Sequence, residues 1–144
     1  MEFNFNDGGR SKYFKNTGRD CVTRAIAIAS GMDYLEVFNT LTHIMWVNGR
    51  DKSALHGVPT RKKYFKKQMQ KWGWKWTQVK TYERVSLDSP KLNKGNVIVS
   101  LQHHYVALID GVINDTYNPD QPKQRGLRSE SGKRIVLGYW SKIQ

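Results

Sequence analysis

At 144 residues, with 38% hydrophobic side chains and seventeen Trp, Tyr and Phe, the chain has material for one domain with a packed core and is too short for two ordinary ones. No stretch approaches the roughly 18 apolar residues of a membrane span, and the opening MEFNFNDGGRSKYF lacks the apolar core of a secretory signal. A net charge of +12 points to anionic partners, and a single cysteine excludes an internal disulfide, which suits a reducing cytoplasm.

Residues 1–20 are polar, rich in Gly and Asn, and read as an ordered loop or short strand. In DCVTRAIAIASG, Cys21, Ala25, Ile28 and Ala29 recur with helical spacing, Asp20 is placed to cap the start, and Gly31 is the stop. Asp33 then opens a second helix, with Glu36 as its capping-box partner and Leu35, Phe38, Leu41 and Met45 on one side, ending near Asn48-Gly49. Thr60 is the expected cap of a third helix whose stripe is Tyr64, Phe65, Met69 and Trp72.

From Trp74 the hydrophobic period changes to two. Candidate strands are WKWTQVK, NVIVSLQ, HYVALI, VINDTY and RIVLGYW. The sixteen polar residues 118–133 between the last two read as a mobile surface loop. Helices followed by strands predict an α+β fold, a single domain over 1–144 with helices packed on an antiparallel sheet.

Asp110-Gly111 between two apolar runs predicts a two-residue type I′ hairpin. Facing residues then have numbers summing to 221, so His104, Val106, Leu108, Ile113, Asp115 and Tyr117 share one face while His103 points away. Asp115 becomes the diagonal neighbour of His104, roughly 7 Å between Cβ atoms, within reach for a carboxylate to fix an imidazole tautomer. An Asx-turn over Thr116 and Tyr117 is the structural alternative for Asp115. Cys21, at the start of a helix beside Arg19 and Arg24, sits where a thiol is activated, although a first core residue of the helix gives the same pattern.

In this order, cysteine opening the first core helix, histidine opening a strand and an acid on the next strand, the chain resembles papain-like cysteine proteases. The resemblance is closest to the compact bacterial and phage branch similar to C39-type leader peptidases. It is carried by NTGRDCVTRAIAIASG and HYVALIDGVINDT, about a fifth of the chain. It implies Cys21 as nucleophile, His104 as general base and acid, and Asp115 as the orienting residue. Its implied activity is acyl transfer on a protein or peptide substrate, with no cofactor and no metal, in a bacterial cytoplasm or the host cytoplasm of a phage. The family's oxyanion-hole glutamine falls where this chain has Lys15, so Asn16 beside it, with the Cys21 backbone N–H, is the expected oxyanion hole.

The four histidines, His43, His56, His103 and His104, and the single cysteine show no zinc-ligand spacing. The competing function is a non-catalytic basic module on the same scaffold, binding nucleic acid or an acidic host protein through Arg61, Lys62, Lys63, Lys66, Lys67 and Lys71. The aromatics of that helix fall on one stripe and read as core, leaving the cations as the binding element.

Overall fold

The change of hydrophobic period near Trp74 becomes a change from helix to sheet. The computed structural model describes residues 1–15 and 18–143. Helices α1 (Cys21–Ser30), α2 (Tyr34–Val47) and α3 (Lys63–Lys71) come before all but one of the strands. Strands β1 (Phe3–Phe5), β2 (Trp74–Gln78), β3 (Asn96–Leu101), β4 (His104–Ile109), β5 (Val112–Asp115) and β6 (Gly138–Lys142) form one sheet in the order β1-β5-β4-β3-β6-β2.

The class is α+β, with one correction: the sheet is mixed. β1 pairs parallel with β5, Phe5 beside Asp115, while the other pairings are antiparallel. A three-residue strand in a polar stretch carries no periodic signal of its own. It exists because β5 offers it a free edge.

α1 is built from Ala and Ile, and Gly31 ends it at φ 74, in the left-handed region glycine occupies without penalty. The helix is buried nearly all round rather than along one stripe, because it lies between β3, β4 and β5 on one side and α2 on the other. The caps of α2 and α3 differ from expectation. The Asp33 side chain makes no capping hydrogen bond and instead accepts one from the Tyr13 hydroxyl at 2.7 Å. α3 starts at Lys63 with Lys62 as its cap residue, two positions after Thr60.

Alternation along the strands splits the interior into two cores. Ile98, Tyr105, Ala107 and Trp140 face the helices and pack with Ile26, Leu41, Met45, Phe65 and Met69. Val97, Val99, Leu101, Val106, Leu108 and Ile113 face the other way and are covered by Val79, Val85, Leu87, Leu92 and Val136. Each fully buried aliphatic or aromatic side chain contributes about 1.5–3 kcal/mol, and the two layers together fix where β4 and β5 end.

The stretch RIVLGYW is only partly strand. Gly138 begins β6, whereas Ile135 bridges Ser86 and Val136 joins the second core. The loop 118–133 is tied down rather than loose. Arg128 donates to the carbonyls of Asp120, Gln121, Gln124 and Gly132, and buried Arg134 donates to those of Pro119 and Gln102. Among the described residues no helix is long and apolar enough to cross a membrane.

Candidate active site

The hairpin forms with the expected register: Ile109 faces Val112, Leu108 faces Ile113 and Ala107 faces Asn114. Asp110 and Gly111 take φ 47 and 80, as a type I′ turn requires. Because this register sets Asp115 diagonally across from His104, the two meet where β4 begins and β5 ends. His104 Nε2 lies 2.6 Å from Asp115 Oδ2, and both side chains are buried. Asp115 Oδ1 also accepts the Thr116 backbone N–H at 2.7 Å, so the turn alternative and the histidine contact coexist on one carboxylate. His103 is exposed at φ 60 in the tight turn between β3 and β4.

α1 delivers the thiol to the same place. Cys21 is its first residue, is half-buried, and lies near enough to His104 for each group to shift the other's titration. With Nε2 committed to Asp115, the imidazole edge left for exchange is Nδ1, which also has the Tyr117 hydroxyl at 3.2 Å.

The electrostatics follow from these contacts. Burial pushes the Cys21 thiol up, but the hydrogen bond and charge of His104, the Tyr105 backbone N–H and the Arg24 charge outweigh it, leaving the thiol below its ordinary value. Burial pushes His104 down, and the bonds and charges of Asp115 and Cys21 raise it to about 9. Both shifts favour a thiolate beside an imidazolium. Tyr117 is shifted up, first by burial and then by the negative charges of Asp115 and Cys21, so it stays a neutral hydroxyl.

Asp20 holds the cap position of α1, but its side chain does not cap the helix. It makes no capping bond, is fully buried, and is paired with Arg24, with Arg10 Nη1 at 3.6 Å and the Tyr34 hydroxyl donating at 2.7 Å. A carboxylate one residue before the cysteine therefore serves the interior instead of the helix end. In the sequence Arg24 stands out only as a positive charge near Cys21. The available signal was an arginine four residues after an aspartate inside an otherwise apolar helix, where a buried charge needs a partner.

Asn16 lies outside the described residues, and Lys15 is exposed. The six cations Arg61, Lys62, Lys63, Lys66, Lys67 and Lys71 are all exposed, and none has an acidic partner within 4 Å among the described residues. Phe65 and Met69 of the same helix are buried in the core, with Tyr64 and Trp72 packed against it. Among the described residues no group of three or more His, Cys, Asp or Glu is arranged to hold a metal ion.

Comparison with models of protein families, with curated proteins and with solved structures finds no match for this chain.

Proposed function

We propose that the chain is a cysteine-dependent acyl-transfer hydrolase of papain-like fold, acting on an amide or isopeptide bond in a reducing compartment. The observation that carries the reading is the 2.6 Å contact between His104 Nε2 and Asp115 Oδ2, beside the helix that opens on Cys21 and packs against β4. The Cys21 thiolate attacks the substrate carbonyl carbon, and the carbonyl π electrons move onto oxygen. Collapse of that adduct breaks the C–N bond while the imidazolium gives its proton to the leaving amine, leaving a thioester on Cys21. Water then attacks the thioester as His104 takes its proton. The C–S bond breaks, and the carboxylic product leaves with the thiolate–imidazolium pair restored. Asp115 holds the imidazole throughout and stabilises its charged form.

The test is to trap the acyl-enzyme. Wild type incubated with a panel of activated acyl esters and peptide amides should gain the acyl mass on Cys21. Cys21→Ala and His104→Ala should show none, and His103→Ala should match wild type. Acylation at lysines alone, unchanged in Cys21→Ala, would refute the reading.

A second reading has its own observation. Between Asp51 and Glu83 the chain holds no acidic residue and nine Lys and Arg, and the helix within that span turns its large apolar residues inward. A helix face of exposed cations whose large apolar residues are turned inward suits a phosphate backbone better than a protein interface, whose affinity rests on buried aromatic and aliphatic anchors. In this reading the chain binds nucleic acid without sequence preference. If six phosphates are neutralised on duplex DNA, log affinity should fall against log salt with a slope of about −5. Anisotropy of a labelled duplex should show that slope, unchanged by Cys21→Ala and reduced by Lys66→Glu/Lys67→Glu. Binding insensitive to salt would exclude it.

A further inference from the structure

Arg24 is buried deep in α1 and touches both halves of the candidate site. Nη1 meets Asp20, the residue before the nucleophile, and Nη2 lies 3.4 Å from Asp115 Oδ1, the oxygen that His104 does not use. Asp20 is braced in turn by Tyr34 from α2 and by Arg10 from the N-terminal segment. Among the described residues this guanidinium makes the only side-chain ion pair between the helix bearing Cys21 and the strand bearing Asp115.

We propose that Arg24 is a positioning residue, whose planar fork sets the rotation of the Asp115 carboxylate relative to α1 and so aims the His104 imidazole at Cys21. The inference rests on the cysteine-hydrolase reading. A carboxylate on a short strand end rotates about its last bond, and the Thr116 N–H constrains only one oxygen from behind. A fork anchored one residue from the cysteine ties that rotation to the nucleophile's own position. Lysine is no substitute, since a point charge on a flexible stem neutralises two carboxylates without fixing their plane. The bland alternative is that Arg24 merely neutralises buried Asp20.

The variants that separate these roles are Arg24→Lys, Arg24→Met and Asp20→Asn/Arg24→Met. The double variant removes the buried Asp20 and Arg24 charges together and keeps the fold testable if Arg24→Met alone does not fold. Two readouts apply to the intact chain: Cys21 alkylation against pH, and the proton NMR resonance of the His104 Nε2–H shared with Asp115. The charged and titratable groups around the fork are Asp20 just before α1, Cys21 on α1, Asp115 on β5, His104 on β4, Tyr34 on α2 and Arg10. All but Asp20 are kept in the double variant.

A folded double variant should alkylate on the order of 10²-fold more slowly than wild type near pH 6.5, the scale of effect when reacting groups are misplaced by about 1 Å. It should also lose the downfield Nε2–H resonance. Arg24→Lys should recover folding but only part of the rate. A double variant with the wild-type alkylation profile and resonance would overturn the inference and leave Arg24 as the partner of Asp20. The two readings fail differently. An ordinary thiol profile in wild type defeats the hydrolase, whereas an activated wild type with an unchanged double variant defeats only Arg24.

Discussion

Alkylation of Cys21 in the intact chain should remain fast well below pH 8, and His104→Ala should abolish that reactivity. An ordinary thiol with a pKa of about 8.5 is only about 1% thiolate at pH 6.5. Wild type should therefore exceed an ordinary thiol there, because His104 and Arg24 hold Cys21 below its usual range. The sign in the variant follows from what remains. Burial continues to push the thiol up, and the largest opposing contributions, the hydrogen bond and charge of His104, are gone. The alkylation midpoint should thus move to or above the ordinary value, with a rate loss near pH 6.5 on the order of 10²-fold. His103→Ala should stay within about twofold of wild type, since His103 is exposed and turned away. Iodoacetamide labelling followed by intact mass reads all three, because the chain holds one cysteine.

The same pair sets the pH range of turnover. Activity should rise as the thiolate–imidazolium pair forms and fall as His104 loses its proton through about 9, where the acid for the leaving amine is lost. Stability follows the same groups. His104 is raised above its unfolded value, so its contribution is complete below about pH 6.5 and is lost as pH rises through about 9. Cys21 is depressed, so its contribution is present above its unfolded value and is lost as pH falls through the folded one.

The second large effect belongs to Asp115→Asn. The amide removes the charge that holds His104 up, so burial dominates and the imidazole should titrate well below about 9. The upper limb of the activity profile should move to lower pH. Turnover should fall by roughly 10³–10⁴-fold, the scale seen when an orienting acid is made neutral, with KM little changed because Asp115 lies behind the histidine. The variant also strips one of the two carboxylates paired with buried Arg24. Removing one partner of a buried ion pair costs about 3–5 kcal/mol, so the urea midpoint should drop together with activity. Normal stability with lost turnover would separate the two roles and place Asp115 in orientation alone.

Much of the fold was legible because local chemistry and tertiary context agree. The Asp110-Gly111 turn set the hairpin register, and from that register followed the meeting of His104 with Asp115. β4 was readable over its full length, and Gly31 stops α1 where a left-handed residue was needed. What escaped was decided at a distance. Asp20 has the local pattern of a cap, but Arg24 and Tyr34 draw its carboxylate inward. Ile135 and Val136 alternate like a strand, yet their partners lie in the 85–92 segment rather than beside β3. Arg128 lies in the stretch that reads as a mobile surface loop and Arg134 opens the candidate strand RIVLGYW, while guanidinium groups with five donors each gather loop carbonyls that no periodicity reveals. β1 has no signal apart from the edge that β5 presents.

The position of β6 has a consequence for how the protein is made. Although last in sequence, it lies inside the sheet between β3 and β2. A ribosome therefore releases α1 with its thiol, and then nearly the whole sheet, before the strand that joins β2 to the rest has been synthesised. During translation β3 carries an open hydrogen-bonding edge, the kind that recruits other chains. Cys21 meanwhile is made more than eighty residues before His104 and Asp115, so until they follow it a nascent chain carries a thiol without its histidine.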